Sequence, residues 1–349
     1  ALSTAPRFTS CNVSRAALLA AAVTLVAPAA PAFASLPAAH ATPPRAASPH
    51  RATVLDVARR IDVNRMNMFD TNFGHFAWDV ASGAPGLIWP RGTNRTAVFA
   101  SGLWLGCTVN GQVRIAVAEY TSEYGPGGMI GGLPDDPNDP RHRVHKVARW
   151  TGNPADTGHV DRTPAELAAD PLLDPLAHHP WSEYIDGAKP YGAPTRIYRL
   201  PDPSTPQPDD SVDVEGPDVL GDQMLWEVHN DADPTLHTSG PGATAPLGVE
   251  IQGTTFAFAR ADGFGDIVFL RFRILNQGGN TLENLYVSMW SDPDVGGFTD
   301  DLVGCDVGRA LGFAYNADND DAIYGVEPPA VGYVLLRGPV DRGPARRWA

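Results

Sequence analysis

Apolar and polar residues alternate along much of the chain, and this period of two predicts β-strands rather than helices. In the segment 268–274, aliphatic and aromatic residues alternate with Phe269, Arg271 and Arg273, which predicts one face in a core and one face in water. Further strands are predicted over 98–107, 113–120, 248–258, 285–290 and 311–315. The dipeptide Asn110-Gly111 between two of them predicts a tight hairpin turn. Because turns recur so often, the chain is predicted to be all-β, a β-sandwich or jelly roll.

The region 125–218 departs from this alternation because it is rich in proline, aspartate, glycine and histidine. It is predicted to be a long irregular insertion, with strand-like pieces only at 144–150 and 195–200. One or two short helices are expected, the clearest at Thr163-Pro164-Ala165-Glu166, where a capping box coincides with proline at the first helical position. The insertion separates a first β region at 51–124 from a β-sandwich region at 219–340.

The N-terminus has the pattern of an export signal. Arg7 and Arg15 precede an apolar run over 16–27, and Ala32-Phe33-Ala34 supplies a small-x-small cleavage pattern. A membrane anchor is the alternative, but the run is short for a bilayer span and is followed by Pro28. The sequence therefore predicts a signal peptide over 1–34, a flexible leader over 35–50, a secreted or cell-surface location, and no membrane span after cleavage.

Both ends suggest a fragment of a longer protein. The chain starts at Ala1 without methionine, and residues 341–349 lack the pattern of a finished element, so a truncated or disordered end is expected there.

Charge narrows the function classes. The 349 residues carry a formal net charge of -14, and the basic residues form no dense run. Nucleic-acid binding requires a concentrated basic surface, so a nucleic-acid partner is not expected.

Acidic residues concentrate near the C-terminal end, between strand-like segments. Closely spaced carboxylates repel one another unless water, basic groups or a hard cation offsets their charge, and Ca²⁺ takes six to eight oxygen ligands. Calcium is therefore the predicted cofactor, and its candidate ligands are Asp292, Asp294, Asp300, Asp301, Asp306, Asn316, Asp318 and Asp320.

An EF-hand is not the expected form of this site. Val303 stands where the first acidic loop would need glutamate, Asp321 replaces the turn glycine of the second, and Pro328-Pro329 would prevent an exiting helix. A structural ion on the loops of a sandwich remains the hypothesis. The alternative is a solvated acidic rim in which Asp and Asn form turns.

Two cysteines remain after the expected loss of Cys11 with the signal. In an oxidising compartment Cys107 and Cys305 could form a disulfide, and two buried free thiols are the alternative.

Motifs for catalysis are missing from the sequence. The chain has no His-Glu-x-x-His, no Cys-x-x-Cys, no Gly-x-Ser-x-Gly and no phosphate-binding Gly-x-x-x-x-Gly-Lys pattern. On a strand, the three-residue spacing of His142 and His145 puts their rings on opposite faces, which does not suit a shared metal site. Both are therefore expected to be solvated. A glycosidase carboxylate pair stays open because sequence does not reveal distances.

Tryptophans offer a second route to function, because exposed rings can stack on sugars, although core filling is commoner for a tryptophan on a strand. The candidates are Trp78, Trp89, Trp104, Trp150, Trp181, Trp226 and Trp290.

Four stretches of the chain resemble a known group of proteins. They are Gly221–Asp233, Pro246–Gln252, Trp290–Gly296 with Asp300–Asp306, and Tyr324-Gly-Val-Glu-Pro-Pro-Ala330. Together they resemble the N-terminal regions of large secreted or surface proteins of Bacteroidota-like and related environmental bacteria, whose parents often end in a type IX secretion sorting domain or a FlgD-type immunoglobulin-like domain. The resemblance covers roughly residues 60 to 339. It implies export and a multidomain parent, and it implies no activity.

These observations favour an exported, non-catalytic structural or adhesive β-sandwich region, stabilised by calcium, whose partner is an extracellular glycan or surface protein. The alternative is an extracellular hydrolase acting on polysaccharide, or its carbohydrate-binding accessory module. Enzymatic activity is the less favoured of the two.

Overall fold

The computed structural model describes residues 17–26, 57–148, 189–201, 211–239 and 243–339. The described part of the chain is 52% strand and 6% helix, and no helix within it reaches seven residues, which confirms the all-β prediction. The helical elements among the described residues are short 3-10 turns at Pro140–His142, Gly263–Asp266, Phe298–Asp300 and Val307–Arg309. The capping-box helix predicted at Thr163, the leader 35–50 and the end 341–349 lie outside the described residues.

The strands are short in the first part of the chain and longer in the second. The first group is β1 (Ala17–Val26), β2 (Ala58–Ile61), β3 (Asn67–Thr71), β4 (His75–Phe76), β5 (Trp78–Asp79), β6 (Ala84–Pro85), β7 (Leu87–Ile88), β8 (Thr96–Val98), β9 (Ala100–Val109), β10 (Gln112–Val117), β11 (Gly125–Pro126), β12 (Met129–Ile130), β13 (Leu133–Pro134) and β14 (His145–Ala148). The second group is β15 (Thr195–Pro201), β16 (Ser211–Pro217), β17 (Gln223–Asn230), β18 (Val249–Ala257), β19 (Ile267–Asn276), β20 (Glu283–Asp292), β21 (Asp301–Asp306), β22 (Leu311–Asn316), β23 (Asp320–Asp321), β24 (Gly325–Val326) and β25 (Ala330–Arg337).

Two antiparallel sheets form the body of the protein. The nine-stranded sheet has the order β11-β17-β18-β19-β1-β25-β22-β21, and β14 also pairs with β17. The eight-stranded sheet has the order β10-β9-β4-β3-β7-β8, with β2 on β3 and β20 on β9. The remaining strands form two-stranded ribbons.

A single large apolar cluster joins the two sheets. It takes Met68, Leu103 and Leu105 from the smaller sheet and Leu270 and Phe272 from the larger one, all of them buried. Alternate residues of each strand enter this layer because successive side chains of a strand point to opposite faces. The layer is the core of a β-sandwich.

The predicted alternation is confirmed in detail. Val268, Leu270, Phe272 and Ile274 of β19 are buried, whereas Arg273 is exposed. The predicted hairpin is also present: β9 and β10 pair across Asn110 and Gly111, which have φ of 51° and 76°. Positive φ at both central residues is the requirement of the turn that asparagine and glycine favour.

The predicted insertion contributes to the main sheet. Gly125–Pro126 and His145–Ala148 both pair with β17, and β15 and β16 form a ribbon. The apolar run of the predicted signal peptide is also a strand, since β1 lies between β19 and β25.

Candidate functional site

The outer surface of the smaller sheet carries a row of aromatic residues. On β9, Leu103 and Leu105 face the core, so the alternating Trp104 faces outward. In the antiparallel register, Trp290 pairs with Gly102, Ser288 with Trp104, and Tyr286 with Gly106. Directly opposed residues share a face of a sheet, which places Tyr286 and Trp290 beside Trp104. We name Trp78, Trp104, Tyr120, Tyr286 and Trp290 the outer aromatic face.

Ring contacts extend this row to one side. The ring of Tyr120 lies edge-on to Trp290, with centroids 5.1 Å apart, and Trp78 lies edge-on to Tyr120 at 6.4 Å. Tyr286 is 66% exposed, and the other four residues are partly exposed. A β-carbon added at Gly106 would meet no atom within 4 Å, so the surface beside Tyr286 is open. Exposed ring faces next to an open backbone can stack on the C–H face of a sugar.

Trp89 and Trp226 pack towards the interior instead. Trp226 is buried, and the indole of Trp89 donates a hydrogen bond to Asp266 (2.8 Å). Trp150 and Trp181 lie outside the described residues. Of the five candidate tryptophans that the structure describes, Trp78, Trp104 and Trp290 lie on the outer face, which their sequence neighbours did not indicate.

The predicted acidic ligands separate into distinct places. Asp292, Asp294, Asp300 and Asp301 lie on β20, the turn that follows it and the start of β21, and Asp301 pairs in register with Asn316. Asp318 and Asp320 belong to the next turn, where Asp318 accepts a hydrogen bond from the amide of Asp320 (2.9 Å).

The candidate ligand Asp306 lies at the far end of β21, on the opposite tip. It caps the 3-10 turn Val307–Arg309 and pairs with Arg309. It is therefore not brought together with the other acidic residues.

Asp294 and Asp301 are half-buried carboxyls whose pKa values are raised. Burial, and then the charge of Asp292, raises the pKa of Asp294 to about 7. Burial also raises the pKa of Asp301 to about 7, with further contributions from neighbouring carboxylates including Asp294. Asp301 Oδ2 accepts a hydrogen bond from the amide of Val295 (2.8 Å). The other carboxyl oxygen of Asp301, Oδ1, and Oδ1 of Asn316 are buried and accept no hydrogen bond from any described residue.

Asp321 ties the two acidic loops to each other. Its oxygens accept hydrogen bonds from the backbone amides of Gly297 (2.7 Å), Ile323 (2.9 Å) and Tyr324 (2.5 Å). Burial acts to raise the pKa of this carboxyl, but the amide donors outweigh burial and lower it. Its role in the structure is that of a backbone anchor.

No three histidine, cysteine, aspartate or glutamate side chains within the described ranges converge in a group that could hold a metal ion. A cation near Asp294 and Asp301 would need oxygens of another kind, such as the Asn316 amide or backbone carbonyls.

The structure has no disulfide between Cys107 and Cys305. Cys107 is buried and Cys305 is exposed, and burial raises the pKa of Cys107 to about 11. Their pairing stays a prediction, which thiol labelling of the unreduced, unfolded protein would test.

A buried polar cluster lies in the core. The Thr255 hydroxyl donates to Asp70 Oδ2 (2.6 Å), and Glu227 Oε2 lies 2.7 Å from His229 Nδ1. Burial, and then the charge of Glu227, raises the pKa of Asp70 to about 7, while burial raises the pKa of Glu227 well above its ordinary value. Burial lowers the pKa of His229 to about 3 and that of His75 to about 4.

This cluster was missed by reasoning from sequence, although Glu227 and His229 lie within the quoted stretch Gly221–Asp233. Their two-residue spacing on a strand was the available signal, because it places both side chains on one face. Glu227 is 1% exposed and His229 is 0% exposed, so an external substrate cannot reach the pair.

The expectation of solvated histidines is wrong for the described residues. His142 and His145 are 0% and 1% exposed. The reason is tertiary: β14, which begins at His145, pairs with β17, and the ring of His142 packs against Tyr191 at 5.4 Å.

A cavity of about 390 Å³ opens between β20 and the strands β21, β22 and β25. Its lining is mainly apolar and includes Met289, Phe313 and Leu335, together with Tyr333, whose hydroxyl lies 2.5 Å from Ser291 Oγ. Burial raises the pKa of Tyr333 to about 12. The described lining contains no carboxyl or imidazole that could act as a general acid or base.

Comparisons of the chain with family models, curated proteins and solved structures found no match. In the part of the chain that the structure describes, no helix is long and apolar enough to cross a membrane.

Proposed function

We propose that this chain is a non-catalytic β-sandwich region of an exported protein and that it binds an extracellular glycan through the outer aromatic face. The observation that carries the proposal is the register of β9 and β20, which aligns Trp104, Tyr286 and Trp290 on the outer surface of the smaller sheet, with Tyr286 exposed and the two indoles partly exposed. Three rings along one face of a sheet suit an extended sugar chain, since each ring can stack on one sugar face. Export and surface location rest on the N-terminal pattern and the resemblance described above.

The experiment is a glycan array followed by titration of the best ligand against single variants. Trp290→Ala and Tyr286→Ala are each expected to weaken binding about tenfold, the effect of losing one well-placed aromatic contact. Phe298→Ala is the matched control, because Phe298 is 57% exposed but lies in the 3-10 turn Phe298–Asp300 rather than on β9 or β20. Equal losses in all three variants, or none in any, would contradict the proposal.

A hydrolase is the second candidate, and one observation favours it. Asp294, whose pKa is raised to about 7, lies two residues from Asp292 in the sequence. The Tyr120 hydroxyl donates a hydrogen bond to Asp292, and the Tyr120 ring packs against Trp290. A protonated carboxylic acid next to a second carboxyl is the arrangement that glycoside hydrolysis uses.

A hydrolysis screen on the polysaccharide that the face binds would separate the two candidates. Cleavage that is lost in Asp294→Asn, with an unchanged melting curve, would establish the hydrolase. Binding without cleavage would leave the non-catalytic proposal standing.

We further propose that calcium stabilises the fold, at a site narrowed to Asp294, Asp301 and Asn316. The support is the pair of buried oxygens on Asp301 and Asn316 that no described group satisfies, together with the raised pKa values. Ca²⁺ binds such oxygens and would favour the ionised form of both carboxyls, which burial disfavours. This proposed site does not use the predicted ligands Asp300, Asp306, Asp318 and Asp320.

A further inference from the structure

The strand β1 occupies a position in the middle of the larger sheet rather than at its edge. Residues 17–24 lie antiparallel to 274–267 of β19, and residues 20–26 lie antiparallel to 337–330 of β25. The backbone of β1 is thus hydrogen-bonded to a strand on each side. We call the space that it fills between β19 and β25 the strand lane.

An empty strand lane would be costly. Leu270 and Phe272 of β19 are 1% and 3% exposed, and Val331 of β25 is fully buried. Without a strand between them, β19 and β25 would each present a row of unpaired amides and carbonyls, and these apolar side chains would lie beside a gap. Buried backbone groups need partners, and open strand edges readily take up another strand.

The segment that fills the lane is the same segment whose sequence has the pattern of a removable signal. The apolar run at 16–27 is followed by the cleavage pattern Ala32-Phe33-Ala34. If export removes it, the lane loses its occupant while β19 and β25 remain. This step rests on the export included in the proposed function.

We propose that the strand lane is a strand-acceptor site, and that in the exported protein it holds an apolar strand donated by a second, different polypeptide. The recognition mode is strand addition, in which backbone hydrogen bonds supply affinity and side-chain pairing supplies specificity. The donor lies antiparallel to both neighbours, as β1 does, and has no proline in its paired stretch.

Charge specifies one donor position. In the register, Ala20 lies opposite Arg271 on one side and opposite Arg337 on the other. A donor with an acidic residue at the position of Ala20 therefore stands between two arginines, where opposite charges on neighbouring strands attract. The donor is predicted to be aliphatic apart from an acidic residue at this point.

The test uses the full chain carrying Ala22→Pro, because proline within a central strand removes a ladder hydrogen bond and weakens the resident segment. The probe is a labelled synthetic peptide of the sequence Ala17–Val26. We expect one peptide to bind per variant chain and none to bind the wild-type chain. Hydrogen exchange should show the amides of β19 and β25 becoming protected when the peptide is added.

Peptide variants test the mode of binding. A peptide with Ala22→Pro should bind at least tenfold more weakly, and a peptide with Ala20→Glu more tightly than one with Ala20→Lys. If the Ala22→Pro chain does not fold, a wild-type chain with a protease site placed in the leader and cut after folding serves as acceptor.

Several results would overturn the proposal. One is equal binding of the proline peptide, and another is full protection of β19 and β25 in the Ala22→Pro chain without peptide. A third is dimerisation of that chain through the lane. The fourth is N-terminal sequencing that finds residues 17–26 retained in the exported protein. None of these results affects glycan binding by the outer aromatic face, so the failure of either proposal can be recognised separately.

Discussion

The buried polar cluster around Glu227 and the acidic stretch from Asp292 to Asp321 both contain carboxyls whose pKa is raised to about 7. In the core, Asp70 is satisfied by Thr255, and Glu227 by His229. In the acidic stretch, Asp301 and Asn316 keep buried oxygens that no described group satisfies. The density of carboxylates along the sequence therefore does not locate the most deeply buried carboxyls. The first site is closed to solvent, whereas the second is the place where we propose a cation.

The largest expected effect is in the core. A β-carbon at Gly253 would lie 1.6 Å from Glu227 Oε1, so Gly253→Ala must displace a fully buried side chain from its partner His229. We expect a loss of about 2–4 kcal/mol in the free energy of unfolding, measured by urea denaturation. Gly312→Ala is the matched control, since a β-carbon there meets no atom within 4 Å. Similar losses in the two variants would show that Glu227 is not held tightly.

The next effect lies in the acidic stretch. Asp321→Ala removes the acceptor of three backbone amides and is expected to cost about 2 kcal/mol, because the buried amide of Tyr324 and two part-buried amides lose their partner. Asp318→Ala, which removes an exposed acceptor of one backbone amide, should cost under about 0.5 kcal/mol. If the two variants lost equal stability, Asp321 would not be the anchor of these loops.

A pH series sharpens the difference in the core. The pKa of Asp70 is about 7 in the folded protein against an ordinary value of 3.8, so the folded state holds a proton that the unfolded state releases. Stability from this group is present below about pH 4 and is lost as the pH rises towards 7. Asp70→Asn has no such loss.

The stability of Asp70→Asn relative to wild type should therefore rise between pH 4 and 7, by at most about 1.4 kcal/mol per pH unit. His229, whose folded pKa is about 3, changes stability in the opposite direction in both proteins. The charge of Asp70 raises the pKa of His229, so Asp70→Asn lowers that pKa further, away from the window of pH 4 to 7. Within this window the His229 contribution is therefore the same in the two proteins. A difference that stays constant with pH would show that Asp70 is already ionised in the folded state.

The smallest effect concerns the cation. Calcium should raise the melting temperature by a few degrees, and by more at pH 8 than at pH 6, since protonated Asp294 and Asp301 are poor ligands. EDTA should reverse the shift, Asp301→Asn should abolish it, and Asp306→Asn should leave it unchanged. A calcium response that survives in Asp301→Asn would move the site elsewhere.

Much of the scaffold follows from the sequence by itself. The alternation in β19 and the Asn110-Gly111 turn predicted strands and a hairpin, because side-chain period and turn conformation are local properties. The class of fold follows from the number of such signals. In the region 125–218, local signals predicted the strands at 145–148 and 195–201. They did not predict the two-residue strand at 125–126, which pairs with β17.

The candidate sites depended on tertiary structure. Trp104 and Trp290 are 186 residues apart in the numbering and meet on one face only because β20 pairs with β9 in one register. Asp70 and Glu227 interact because the two sheets pack face to face, and desolvation then shifts their pKa values. The sequence determined which segments become strands, through the period of their side chains. Which strands become neighbours, and therefore which polar groups lose water, was decided only by packing, because burial is a property of the whole assembled core.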